Sequence, residues 1–195
     1  KKDDSNVKIK VTNQMLEQAI KENDGKHLEV CIKVLDAKGE ESYTLTVNTA
    51  DVKKGNKLYV CEKDSETGEM ILVNSKTYKV SKSGNINVKL EPEKDYVLMN
   101  EAEMRKVSNA ILKTVALEKK KVQISPKEKF KIVLQHEFNM DNVESITYLN
   151  DKKEIVTVNK KGAVRGKKQG IAIIKIKVVL KNGETKTLKS RVIVK

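Results

Sequence analysis

Two histidines and two cysteines, His27, His136, Cys31 and Cys61, are the residues of this 195-residue chain most readily turned to nucleophilic or metal chemistry. His27 and Cys31 have the side chains of a base and its thiolate. Around them Leu28, Val30, Ile32 and Val34 alternate with Glu29, Cys31 and Lys33, the mark of a half-buried strand. Residues four apart on a strand stand about 13 Å apart at 3.3 Å per residue, so the pair cannot touch. His136 continues the row of Phe130, Ile132 and Leu134, which assigns it to packing at a sandwich end. Two distant histidines with two cysteines match no metal-ligand spacing. No glycine loop stands before a helix as phosphate binding needs. No catalytic residue, metal or cofactor is therefore expected, and the chain reads as not an enzyme.

Alternation also places Cys31 and Cys61 on the polar faces of their strands, beside Val30 and Ile32 and beside Leu58 and Val60. Two such thiols either bridge neighbouring strands, which requires Cα atoms within about 7 Å and an oxidising exterior, or stay free. Tyr59 falls on the same face as Cys61. It is the candidate aromatic contact for a sugar ring, with Tyr43 and Tyr96 behind it.

Charge is distributed unevenly. Residues 1–105 carry 18 basic and 19 acidic side chains, whereas residues 106–195 carry 22 and 8, so the second half accounts for the net charge of +13. Lys160, Lys161, Arg165, Lys167, Lys168, Lys175 and Lys177 form its densest basic group and are the candidate patch for an anionic polymer. Only Arg105, Arg165 and Arg191 are arginine, and aromatic residues make up 4% of the chain. Nucleic-acid recognition mixes arginine forks with exposed aromatics, so a nucleic-acid partner is not expected. A lysine-rich genome would also yield a solvated, sign-biased surface without any partner.

The elements that position these residues are mostly strands. Val7–Val11, Leu28–Val34, Tyr43–Val47, Lys57–Cys61, Met70–Val73 and Asp95–Met99 read as short strands separated by turn signals such as Glu66-Thr67-Gly68. Tyr78, Val80, Ile86, Val88 and Leu90 read as a hairpin around Ser83-Gly84-Asn85. Asn13–Asn23, with Met15, Leu16, Ala19 and Ile20 on one helical face, is expected to be a short helix ended by Gly25. From Asn100 to about Leu117 a helix or a structured linker joins the halves, since Asn100 and Glu103 form a capping box ahead of Met104, Val107 and Ile111. The domain boundary is expected near 105–117, giving units 1–105 and 117–195. In the second half Ala172, Ile174, Ile176, Val178 and Leu180 form one apolar row opposite Lys175, Lys177 and Lys181. Asn182-Gly183 then turns the chain toward Leu188, Val192 and Val194. The fold class is all-β with one or two short helices, as two sandwich-like domains. No apolar run is long enough for a membrane span. The start at Lys1-Lys2-Asp3-Asp4 reads as a processed or trimmed fragment.

The stretch from Ile155-Val156-Thr157-Val158 through Gly162, Gly166 and Gly170 to Ala172-Ile173-Ile174 resembles the bacterial immunoglobulin-like domain, group 2. The likeness covers roughly residues 117–195. Ile146-Thr147-Tyr148 matches an earlier strand of that family, with Tyr148 where tryptophan is usual. Gly162 is expected to supply a tight hairpin, and Gly166 and Gly170 backbone angles that a side chain resists. The first half is similar to β modules that accompany such domains in surface proteins of Gram-positive gut bacteria. Val80–Ile86 and Val158–Val164 share a V-x-K-x-G-x-[I/V] core, too little to read as a duplication. The resemblance implies an immunoglobulin-like second domain in an extracellular, cell-surface or cell-wall protein. It implies structural or adhesive work, with a cell-wall polymer, host glycan or protein as partner. The alternative is a glycan- or anionic-polymer-binding accessory domain of a secreted enzyme. The family brings no catalytic residues.

Overall fold

The computed structural model describes residues 55, 57–64, 66–72, 77–91 and 94–195, together with backbone strands at 8–11, 16–23, 28–34 and 41–48. The chain divides into two compact units, Lys1–Val107 and Ser108–Lys195.

The first unit holds β1 (Lys8–Val11), β2 (Leu16–Asn23), β3 (Leu28–Val34), β4 (Glu41–Asn48), β5 (Lys57–Lys63), β6 (Met70–Leu72), β7 (Tyr78–Lys79), β8 (Asn85–Leu90) and β9 (Asp95–Asn100). They form a three-stranded sheet, β1-β4-β8, and a larger sheet in the order β2-β3-β9-β5-β6, with β7 also paired to β5. In β8, buried Ile86, Val88 and Leu90 alternate with Asn87 and Lys89, the period of a sheet with one buried face. The central strand β9 breaks that period, because Tyr96, Val97, Leu98 and Met99 are all buried. Both of its faces are covered, so its sequence is a continuous apolar run. The Tyr96 hydroxyl accepts a hydrogen bond from Glu91 N at 2.9 Å, which ties β9 to the end of β8 in the other sheet.

Two expectations for this unit are corrected. The segment expected to be a helix over 13–23 is strand β2, paired with β3 from Leu16↔Val34 to Asn23↔Leu28, with an irregularity between Leu16 and Gln18. A helix of about ten residues is marginal on propensity alone, and the open edge of β3 offers its backbone a full ladder instead. The hairpin read over 78–90 is only a turn, closed by Ser81 N donating to Asn85 O at 2.9 Å. Tyr78 and Lys79 pair with Leu58 and Lys57 of β5, so the chain changes sheets at this corner.

Helix α1 (Glu101–Thr114) follows β9 directly. Asn100 Oδ1 accepts from Glu103 N at 2.9 Å, the cap that the sequence signalled. Glu101 and Glu103 occupy its first turn and Lys113 its last, matching the helix dipole. Met104, Ser108, Ile111 and Leu112 are its buried positions. The division between the units falls inside this helix.

The second unit contains β10 (Ala116–Leu117), β11 (Lys121–Ile124), β12 (Lys129–Lys131), β13 (Leu134–Gln135), β14 (Val143–Asn150), β15 (Val156–Val158), β16 (Ala163–Gly166), β17 (Gly170–Leu180) and β18 (Thr185–Val194). One sheet has the order β12-β16-β15 and the other β11-β18-β17-β14. With β12, β16 and β15 as strands B, E and D, and β14, β17 and β18 as C, F and G, this is the immunoglobulin strand order. The first strand is shared between the two layers. Its start, β10, pairs with β13; after Glu118 N donates to Val133 O, the chain crosses over and β11 runs parallel to β18. One pairing in the sandwich is thus parallel, and the others are antiparallel.

The core is built from rows that alternation sets inward. Ala172, Ile174, Ile176, Val178 and Leu180 of β17 are at most 1% exposed, and the first three share one core cluster with Val156 and Val164 from the opposite sheet. At one end the sheets approach through Tyr148 of β14 and Gly162 in the β15–β16 turn. Gly162 has φ +78°, and a Cβ there would lie 2.7 Å from the Tyr148 ring. Gly166 is constrained differently from expectation. Its φ is not positive, but a Cβ would stand 2.7 Å from the backbone oxygen of Ser125, so the limit is steric rather than torsional. The far end of the unit is fastened to α1. Lys186 Nζ donates to the carbonyls of Leu112 and Val115 at 2.7 and 2.8 Å, placing a cation at the helix C-terminus, and Asn182 Nδ2 donates to Ser108 Oγ.

Gly162→Ala is expected to lower the unfolding free energy by about 1–3 kcal/mol in urea titrations, through the left-handed backbone and the clash with Tyr148. Adding Tyr148→Ala removes the ring that the new methyl meets, so the double variant should lose less than the sum of the singles. Fully additive losses would show that the two residues do not form one contact.

Candidate functional site

The seven cations grouped by sequence do not form one surface. Arg165 lies on the outer side of the three-stranded sheet, across from Thr157 and Lys129. Lys160 and Lys161 occupy the β15–β16 turn, where Asn159 Oδ1 accepts from the backbone N–H of Lys161 and Ala163. Lys167 and Lys168 follow β16, and Lys167 Nζ donates to Lys153 O at 3.1 Å. Lys175 and Lys177 are exposed on the outer side of the other sheet. Packed sheets stand about 10 Å apart with outward side chains diverging, so Arg165 and the Lys175–Lys177 pair face away from each other.

Strand pairing instead assembles a different basic group. In β17, Lys175 is opposite Lys189 of β18, and Ile173 is opposite Arg191, which is the register partner of Lys121 in β11. Lys177 stands between Thr147 and Thr187. All five cations are exposed, and none is ion-paired among the described residues. Carboxylates occur only at the strand ends: Glu144 near the β14 irregularity, Glu184 in the β17–β18 turn, and Asp151, whose Oδ1 accepts from Ile173 N at 2.8 Å. Beside the cations, Ile171 pairs across to Ile193, Ile173 follows on the same side, and Leu149 is the register partner of Lys175. Leu149 is 63% exposed and Ile171 40%. No aromatic residue lies on this face. Lys189 and Arg191 alternate with Leu188 and Val192, which sets them outward, but alternation alone does not join them to Lys175. Lys121 and Leu149 carried no signal, because a parallel pairing and a strand separated by two others leave no turn to read.

Two concavities lie elsewhere on the unit. One of about 270 Å³ opens where the first strand changes sheets, between Val122, Phe130, Ile132 and the polar Glu118, Lys119 and Lys131. The other, about 310 Å³, is a depression over Lys129, Thr157, Asn159 and Arg165. His136 sits at the surface, where its Nδ1 is 3.0 Å from Phe138 O and its ring centroid 5.1 Å from that of Phe138. This contact, within two residues of chain, gives His136 a local packing role.

In the first unit the strand order separates the two cysteines of the possible disulfide. Cys31 and Cys61 share Val97 as register partner, but from opposite sides of β9. One strand intervenes, so their Cα atoms stand about 10 Å apart, beyond the roughly 7 Å that a bridge spans. Cys61 is a free thiol and fully buried, not on a polar face, and its Sγ lies 3.6 Å from Met104 Sδ. Burial pushes this thiol up to about 12 from 9.0. Tyr59 is half-buried, which leaves little ring for stacking on a sugar. His27 lies outside the described residues, and at Cys31 and Tyr43 only the strand backbone is described. Among the described residues no cluster of His, Cys, Asp and Glu could hold a metal, and no helix is long and apolar enough to cross a membrane.

No protein-family model matches the chain, and no curated protein matches it significantly. Among solved structures it is similar to the C-terminal 282-residue fragment of intimin, in a complex with the intimin-binding domain of the translocated intimin receptor. The TM-score is 0.31 at 14% identity, over 93% of this chain and 62% of that fragment, so the chain spans less than two thirds of its neighbour. The immunoglobulin topology is a property of the strand order itself, independent of that likeness.

With Cys31→Ser in place, Cys61 should react with Ellman's reagent at pH 8 roughly a hundredfold more slowly in the native chain than in urea. Between pH 9.0 and about 12 the folded thiol keeps its proton while the unfolded one releases it. The folded state then binds more protons, and stability falls as pH rises through that window, by up to roughly 1.4 kcal/mol per pH unit. Cys61→Ala should flatten this slope; an unchanged slope would exclude a buried neutral thiol.

Proposed function

We propose that the chain is a non-catalytic structural and adhesive module of a bacterial cell-surface protein. In this reading its second unit is a group 2 bacterial immunoglobulin-like domain, and its first unit is a β module that accompanies it in a secreted, wall-associated protein of a Gram-positive bacterium. The observation that carries the reading is the inter-sheet packing of the second unit. Gly162 beneath Tyr148 and Gly166 against Ser125 are the glycines of the family pattern, and each is accounted for by sandwich assembly alone. The polar residues that organise the unit also do structural work. Asn159 shapes a turn, and Asn182 and Lys186 hold the end of a helix. The strands form rigid layers with a continuous apolar core, suited to presenting an outer face at a distance from an anchoring point. The glycan-binding alternative draws no support from Tyr59, which is half-buried.

An antibody raised against the folded chain tests the reading on intact cells of the strain that makes it. The expected outcome is labelling of unbroken cells that is lost after brief treatment with external protease. Signal seen only after lysis would overturn the surface assignment. Reproducible turnover abolished by one Asp or Glu substitution would overturn the non-catalytic one.

A further inference from the structure

We infer that the outer face of β14-β17-β18-β11 is a docking surface for a protein whose own surface presents carboxylates around an aliphatic centre. The inference rests on the adhesive reading above and names its partner class. Three features of the face converge on it.

The first is charge placed against stability. Lys175 and Lys189 are direct cross-strand partners, Arg191 and Lys121 are partners in the next pair of strands, and Lys177 stands two residues from Lys175 on the same side. Like charges directly opposite one another destabilise a sheet. Five cations with no carboxylate among them keep that repulsion in the isolated chain, and an acidic partner relieves it. The second feature is apolar. Leu149, Ile173, Ile171 and Ile193 form a diagonal aliphatic strip bordered by Lys175, Lys189, Arg191 and Lys121. An apolar centre within a charged border is the anatomy of a protein–protein interface, whereas a bare polyanion has nothing to lay on the strip. The third is shape. The face is an open sheet surface, and the two concavities at Val122 and Phe130 and at Lys129 and Thr157 lie elsewhere, which suits a broad partner rather than a small molecule. The lack of aromatic side chains argues against stacked sugars or bases.

The test uses the full chain and three probes: a 14-residue peptide alternating Glu and Leu, the same peptide with Ser for Leu, and heparin. By titration calorimetry or fluorescence anisotropy, the Glu–Leu peptide should bind at least tenfold more tightly than the Glu–Ser peptide, with affinity falling as salt is raised. Lys175→Gln/Lys189→Gln and Leu149→Asn/Ile171→Thr should each weaken it tenfold or more. Lys129→Gln/Arg165→Gln, which removes the same charge from the opposite outer face, should change it less than twofold. Circular dichroism confirms that each variant is folded. Equal binding of the three probes, equal sensitivity to the control pair, or no binding of the Glu–Leu peptide would each overturn the proposal. Failure here with positive cell labelling leaves the surface reading standing, whereas failed labelling with specific peptide binding removes that reading and keeps the face.

Discussion

In the β17–β18 ladder, ten residue pairs run from Gly170↔Val194 to Val179↔Thr185, and their register keeps the apolar rows of the two strands on one side, facing the core. Strand side chains have a period of two, so a slip of one residue would turn one strand's apolar row to water and its lysines inward. The register is held at both ends. At the turn, Leu180 N donates to Glu184 O and Gly183 N to Leu180 O, closing a three-residue loop with Gly183 at φ +89°. At the other end β11 lies along β18, and Arg191 N donates to Lys120 O. Everything built on the sheet inherits this choice: the buried row, the position of Tyr148 over Gly162, and the cationic outer face.

The same ladder shows how far alternation could be read. Asn182-Gly183 taken as a two-residue turn would set Lys175 opposite Ser190 and mix the two faces. The alternation of Leu188, Val192 and Val194 against Lys189 and Arg191 gives the observed parity instead. Strands with one covered face were legible because their residue types repeat every second position. The glycines at 162 and 166 were legible as positions, though at Gly166 the reason lies in the approach of a distant backbone that no local pattern encodes.

What escaped the sequence has a common origin in long-range placement. Cys61 was assigned to a polar face because its neighbours alternate, but β5 pairs with the covered central strand β9, and Cys61 itself is buried against Met104 of α1. The intervening β9 separates the two cysteines, and strand order across a sheet is not written locally. Neighbouring lysines were grouped by proximity in sequence, yet the crossing from β16 to β17 carries the chain from one sheet to the other and divides them. The strand at Leu16–Asn23 has helical spacing that its pairing with β3 overrides.

The first strand of the second unit has a mechanical consequence. β11, the longer part of that first strand, and β18, the last strand of the unit, are adjacent and parallel, from Lys121↔Arg191 to Ile124↔Val194. Tension passing through the unit pulls these two strands in opposite senses along their own axes. The ladder bonds between them then carry the load together in shear instead of parting one at a time. The same arrangement that closes the edge of a sheet thereby gives the unit a clamp against stretching.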